Sequence, residues 1–220
     1  MLIHPWDAAL DVAEWQDWLA SVDRFGMLAV NNLDPAQAPL VQPVHFAVAG
    51  PELLMHLARP NPIWPHLEAT AEVRLAVTGD YAYVPGYWRA KTGGPDEDGV
   101  PTSYYTAVQF VCRPTVVDDP EVKAEILTAQ LAGFQPEGRH ATVAAGIAPY
   151  GPMLPGIRGV RLQILRVEAK FKYDDAKPVE HRVRVIGHLE QRGHGLDARA
   201  AAQQRRRLAA IGDWQTHRDR

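Results

Sequence analysis

The chain has little cysteine. Cys112 is its single cysteine among 220 residues, so no intramolecular disulfide can form and a cysteine-rich metal site is excluded. Nor does it have a strong charge of one sign. A net charge of −3 predicts no global field for a phosphate backbone, so such binding would need a local patch. The opening MLIHPWDAALDV lacks the basic and apolar regions of a secretory leader. No apolar run approaches the roughly 18 residues that a bilayer demands. The expectation is therefore a cytoplasmic protein with no membrane segment. The sequence shows no Gly-x-Ser-x-Gly elbow and no glycine-rich phosphate loop. Its nine histidines include no helical His-x-x-x-His pair, so no metal site is expected.

The chain does have enough apolar residues, 46%, to bury a core, and their spacing predicts the elements. Residues 11–24 read as an amphipathic helix, with Asp11 and Glu14 as a capping box and Trp15, Trp18, Leu19 and Val22 on one face. Strands follow quickly: 27–30, 40–48, and 53–58 after a turn at Ala49–Glu52. Residues 62–69 read as a short helix. Residues 72–78 alternate, with Val73, Leu75 and Val77 in phase, and 81–84 extends them. The glycine-rich acidic stretch 89–99 reads as a mobile loop, 104–111 as a strand, and 120–133 as a helix opened by proline and closed by glycine. Residues 135–157 read as irregular, and a connection of that length points to function or an interface.

In the strand 160–173, Val160, Leu162 and Ile164 share one phase, while Leu165, Val167, Ala169 and Phe171 share the other. A change of phase needs an extra residue, so a β-bulge is predicted near Ile164–Leu165. Terminal helices are expected within 178–220. One α+β domain over 1–220 follows, mainly antiparallel β, with an N-terminal helix at 11–24, a barrel with inserted helices at 27–173, and C-terminal helices. A parallel βαβ plan fails for lack of crossover helices.

Three constellations carry potential chemistry. In His56-Leu-Ala-Arg59-Pro-Asn61-Pro-Ile-Trp64, a guanidinium, an amide and a helix start suit an anion. The same run also reads as an ordinary helix entry with a solvated arginine. Tyr81–Trp88 and Val100–Tyr105 flank the flexible loop with aromatics that suit a flat heteroaromatic ligand or simple packing. Lys170 and Lys172 share one strand face, available to an anion or to solvent. Cys112 reads as a buried, inert thiol. Arg205-Arg206-Arg207, within the 197–220 tail, could meet nucleic acid or lie on a solvated helix; no helix-turn-helix precedes it.

Together the runs HLARPNPIWPHL, VTGDYAYVPGYW, VPTSYY and GIRGVRLQILRVEAKFK resemble the PaiB-like FMN-binding family of negative transcriptional regulators, over roughly residues 40–193. The resemblance implies a split β-barrel related to pyridoxamine 5′-phosphate oxidases and flavin reductases, working as a homodimer with FMN in grooves at the subunit interface. It implies that His56, Arg59 and Asn61 lie near the FMN phosphate. Gln42, Val44 and His45 would run beside the isoalloxazine edge. Tyr83, Trp88, Thr102, Tyr105, Lys170 and Lys172 would line the site, in part from the other subunit. The chain departs from the pattern within Tyr83–Trp88 and at Arg89, Ser103–Tyr104, Ala169 and Asp174–Ala176.

Three functions compete. An FMN-dependent oxidoreductase needs no acid–base dyad of its own, because the flavin supplies the redox chemistry. A transcriptional regulator would act through DNA or a partner protein. A heme-binding split barrel would use His181, His188 or His194 as ligand.

Overall fold

Alternate burial defines the first strand. In a computed structural model, which describes residues 1–214 and 216, β1 (Phe25–Val30) buries Gly26, Leu28 and Val30 and exposes Phe25 and Met27. It pairs antiparallel with β2 (Leu40–His45), Val30 opposite Leu40 and Phe25 opposite His45. Its other edge pairs with β5 (Val73–Val84), Leu28 opposite Leu75. The run 40–48 is not one strand. Phe46 is fully buried and its N–H donates to the Arg24 carbonyl at 3.0 Å, which turns the chain between β2 and β3 (Ala47–Ala49). A two-residue turn then leads into β4 (Glu52–Ala58). Gly50 occupies its left-handed position, φ 58°, where a side chain would be strained.

β4 pairs antiparallel with β7 (Ile157–Lys172), from Ala58 opposite Ile157 to Glu52 opposite Gln163. With β6 (Thr102–Val117) the sheet runs β2-β1-β5-β6-β7-β4-β3. It is not closed, and β2 and β3 are its edges. The expected α+β class, mainly antiparallel, is what the structure shows.

Among the described residues, five α-helices accompany the sheet. α1 (Val12–Ser21) is capped by Asp11, which accepts from the Glu14 N–H at 2.8 Å, while Glu14 reaches back to the Leu10 N–H at 2.7 Å. That is the expected capping box with its return bond one residue early. α2 (Trp64–Ala69) is short. α3 (Pro120–Phe134) starts with Asp119 accepting from the Glu121 and Val122 N–H groups. α4 (Val179–Arg192) and α5 (Asp197–Ile211) fall where terminal helices were expected. Within 178–220, Gln215 and residues 217–220 lie outside the described residues. The 135–157 stretch stays irregular until a 3-10 turn at Gly151–Gly156, and the 89–99 loop is bounded by 3-10 turns at Gly86–Arg89 and Asp96–Asp98.

β7 buries Val160 and Leu162 and then Phe171, so its phase does change. However, the pairing with β4 is unbroken up to Gln163 and Leu165 is 40% exposed, so only the end of the second apolar phase is buried. β5 shows the change more sharply. Val73, Leu75 and Val77 are buried, then Asp80, Ala82 and Val84. The odd residue falls at Thr78–Asp80, where Asp80 has φ 53°, as a bulged strand requires.

The chain divides into two compact units. The first comprises Met1–Trp18, Thr78–Val108 and the chain from Glu168 onward; the second comprises Leu19–Val77 and Gln109–Val167. In the second unit α3 packs Ile126 against Ala47 and Leu54. In the first, Trp18 meets Phe171 edge-on at 6.4 Å, and α4 and α5 bury Val185, Ile186, Leu189, Ala200 and Ala201.

Candidate functional site

In the second unit, the open edge at β2 is tied to the chain around β4 by polar side chains. The Asn61 amide donates to Gln42 Oε1 at 3.0 Å. Its carbonyl oxygen accepts the Ile63 N–H at 3.0 Å. Gln130, buried on α3, bonds His56 Nδ1 through its Oε1 at 2.6 Å and donates to the His45 carbonyl at 3.1 Å. The His45 ring lies 4.6 Å from that of Phe25 and 5.2 Å from that of Phe134, and Val44 is buried. The predicted residues Gln42, Val44, His45, His56 and Asn61 therefore come together as a clasp. One expectation is corrected: the helix start was to offer free N–H groups, but the Ile63 amide is used by Asn61, Pro62 and Pro65 have none, and α2 has only six residues.

Arg59 belongs to a neighbouring cationic cluster. Its guanidinium donates to the Pro155 carbonyl at 2.7 Å and to Asp118 at 3.2 Å, and its side chain is 46% exposed. Arg158 binds Asp118 at 2.6 Å and Glu68 at 2.8 Å, and lies over Trp64 at 5.0 Å. Lys123 shares the Ile157 carbonyl with Arg59. Hydrogen bonds from Arg158, more than the opposing desolvation, hold the Asp118 carboxyl below its usual range. Burial pushes the Lys123 ammonium down. Three cations thus face Asp118 and Glu68, both half exposed, and Asp119 adds its charge beside Lys123.

The first unit gathers Thr102, Tyr105, Lys170 and Lys172. Lys172 Nζ donates to Thr102 Oγ1 at 2.9 Å, and both ammonium groups lie over the Tyr105 ring, at 5.7 and 5.8 Å. Lys170 also donates to the Leu2 carbonyl at 2.9 Å and sits 3.7 Å from Asp7. Burial raises the Asp7 carboxyl against the pull of Lys170. Tyr83 is exposed. Trp88 is buried, its ring covered by His188, stacked at 4.9 Å, and by Arg192 at 4.6 Å. Trp88 therefore joins α4 rather than the lysine cluster.

The sequence offered Asp174 only as a departure from the family pattern, and the structure makes it join three groups. Arg89 holds it with two bonds, at 2.9 and 3.1 Å. Tyr104 Oη donates to it at 3.1 Å, and His181 Nε2 lies 3.3 Å away. Burial pushes its carboxyl up, but His181 and Arg89 outweigh burial and hold it below its ordinary value. A further signal was an aspartate at a strand end, a residue type that tolerates the left-handed φ of 58° found there. Gln130 and Lys123 sat unremarked on α3. Burial also pushes the Cys112 thiol up to about 12, as expected for an inert cysteine. Among the described residues, no helix is long and apolar enough to cross a membrane, and no group of three potential metal ligands forms.

The family model described as "Putative FMN-binding domain" matches residues 1–166. The chain belongs to this FMN-binding family, and its cofactor is FMN. No curated protein matches it in sequence. Solved structures share its fold. The FAD and heme binding protein from Mycobacterium smegmatis is 21% identical, with a TM-score of 0.57 over 76% of this chain and 73% of that one. The flavocytochrome Anf3 from Azotobacter vinelandii is 18% identical, with a TM-score of 0.56 over 76% and 70%. The shared fold is the flavin-binding split β-barrel.

The donor chemistry fits the cofactor. FMN carries one phosphate, and the Arg59–Arg158–Lys123 group presents a half-exposed guanidinium. A guanidinium donates in the forked geometry that a phosphate accepts.

Proposed function

We propose that this chain is a PaiB-like, FMN-dependent oxidoreductase acting as a homodimer. The observation that carries this reading is the open cation cluster around Arg59 beside the Gln42–Asn61 clasp. Arg59 would take the FMN phosphate, and β2 from Gln42 to His45 would border the isoalloxazine. The cluster of Thr102, Tyr105, Lys170 and Lys172 would meet the flavin of a second copy of the chain, with Tyr83 exposed on the same unit. FMN supplies hydride and electron transfer when bound. The chain's own task is to orient the flavin and to place hydrogen-bond donors at its edge. Gln42 and His45 are the candidates.

The regulator reading through the arginine-rich tail has less behind it. Arg207 is fully buried, Arg205 pairs with Glu190 at 2.8 Å, and Arg206 bonds Gln203. These three arginines do not form an open basic patch.

Two measurements test the proposal. FMN-loaded protein is mixed anaerobically with NADH or NADPH, and the visible flavin absorbance is followed. Bleaching, with recovery on adding an acceptor, supports an oxidoreductase; a bound flavin that neither donor reduces contradicts it. Sedimentation gives the oligomeric state, and a monomer that retains FMN removes the dimer.

A further inference from the structure

A cleft of about 630 Å³ opens in the first unit, between the loop following Trp88 and the start of α4. Its volume lies within the range of small-molecule sites, roughly 300–1,000 Å³. Two arrangements hold its walls. Arg184 on α4 donates to the Ala90 carbonyl at 2.7 Å, to Thr92 Oγ1 at 2.8 Å and to the Trp88 carbonyl at 3.4 Å. At the loop base, a Cβ on Gly99 would stand 1.8 Å from the Gly86 carbonyl oxygen, so only glycine permits that backbone approach.

The charges lining the cleft are unevenly matched. Arg89 is neutralised by Asp174, which also orients His181. Arg184 is different: its three bonds go to neutral oxygens, so its charge has no carboxylate partner among the described residues. Lys91 and Lys177 line the same cleft, against Asp98 and Glu180. The first turn of α4 has no side-chain cap and adds unbonded amides. The chain is acidic overall, at −3, so this local positive charge does not follow from composition. The cleft shares no residue with the Arg59 cluster or with the Thr102–Lys172 cluster. Its α4 side, Lys177–Arg184, lies beyond residue 166, where the family match ends.

We infer that this cleft binds a small organic phosphate, separately from FMN, with Arg184, Lys91 and Lys177 taking the phosphate and Thr92 donating its hydroxyl. Two ammonium groups and a guanidinium without a carboxylate partner are worth little in an empty cleft, and they bind a dianion strongly once it is desolvated. The volume leaves room for an organic body beside the phosphate.

The test uses FMN-loaded protein titrated with inorganic pyrophosphate, followed by NMR of the Trp88 indole and the His181 ring. The expected result is saturable shifts at both residues with the flavin fluorescence unchanged. Binding should weaken at least tenfold in Arg184→Gln. Because Arg184 also holds the loop, the double variant Lys91→Gln/Lys177→Gln, which alters side chains that hold no hydrogen bond or ion pair among the described residues, must weaken binding as well. Pyrophosphate binding that is unaltered in both variants overturns the inference. Stoichiometric displacement of FMN by pyrophosphate also overturns it, because the cleft would then be the flavin's own phosphate site.

Discussion

Arg207 and Arg59 are both guanidinium groups in an acidic chain, and the two units treat them in opposite ways. Arg207 is fully buried. It binds Asp175, holds Glu14 with bonds of 2.7 and 2.8 Å, and donates to the Trp6 and Ala8 carbonyls at 3.2 and 3.0 Å. Arg182, equally buried, holds the other oxygen of Asp175 at 2.6 Å. Arg59, by contrast, is 46% exposed beside a carboxylate that is 50% exposed. In the first unit the ions are buried and structural, and they fasten the N-terminal segment to α5. In the second, charge stays at the surface with bonding capacity to spare, as a ligand site needs.

The largest test of this contrast is Arg207→Ala. Removing one partner of a buried network takes the guanidinium from Glu14 and leaves Asp175 with Arg182 alone, so urea unfolding should show a loss of about 3–5 kcal/mol. A loss below about 1 kcal/mol would mean that the buried ions are not a structural lock. Gln130→Leu comes next. It strips His56 and the His45 carbonyl of their partner and should cost about 1–3 kcal/mol in the same assay. No effect would show that the clasp contributes nothing to stability.

A smaller effect concerns pH. The Asp174 carboxyl is held below its unfolded value in the folded chain. A depressed carboxylate adds stability that is present above the unfolded value of about 3.9 and is lost as pH falls through the lower folded value. Asp7, raised by burial, acts with the opposite sign. Asp174→Asn should therefore flatten the acid fall in Tm, and an unchanged slope would deny Asp174 that part. The smallest effect on stability is predicted for Arg59→Ala, within about 0.5 kcal/mol of the parent.

Much of the fold was legible because burial has a period. The alternation in β1, and in β5 before and after Asp80, reads directly from valine and leucine spacing. The division at Phe46 was not, because a buried phenylalanine fits a strand as well as a turn. In the candidate site, the segment from His56 to Trp64 was visible as a motif, but its internal roles were not. Sequence places Arg59 and Asn61 two residues apart; the fold gives Asn61 to a clasp and Arg59 to a charge cluster. Gln130 and Lys123 escaped notice because these partners lie 85 and 31 residues away, and no local pattern encodes such pairings; the roles of Asp174 stayed hidden because Arg89 and Tyr104 lie 85 and 70 residues from it.

The central claim is that FMN is held through the open cations of the second unit. Titrating FMN into the protein and into Arg59→Ala, with flavin fluorescence as readout, tests it most directly. The account predicts saturable binding to the parent chain and affinity at least tenfold weaker in the variant, with both equally folded. Equal affinity in the two proteins, or no uptake by the parent chain, would contradict it.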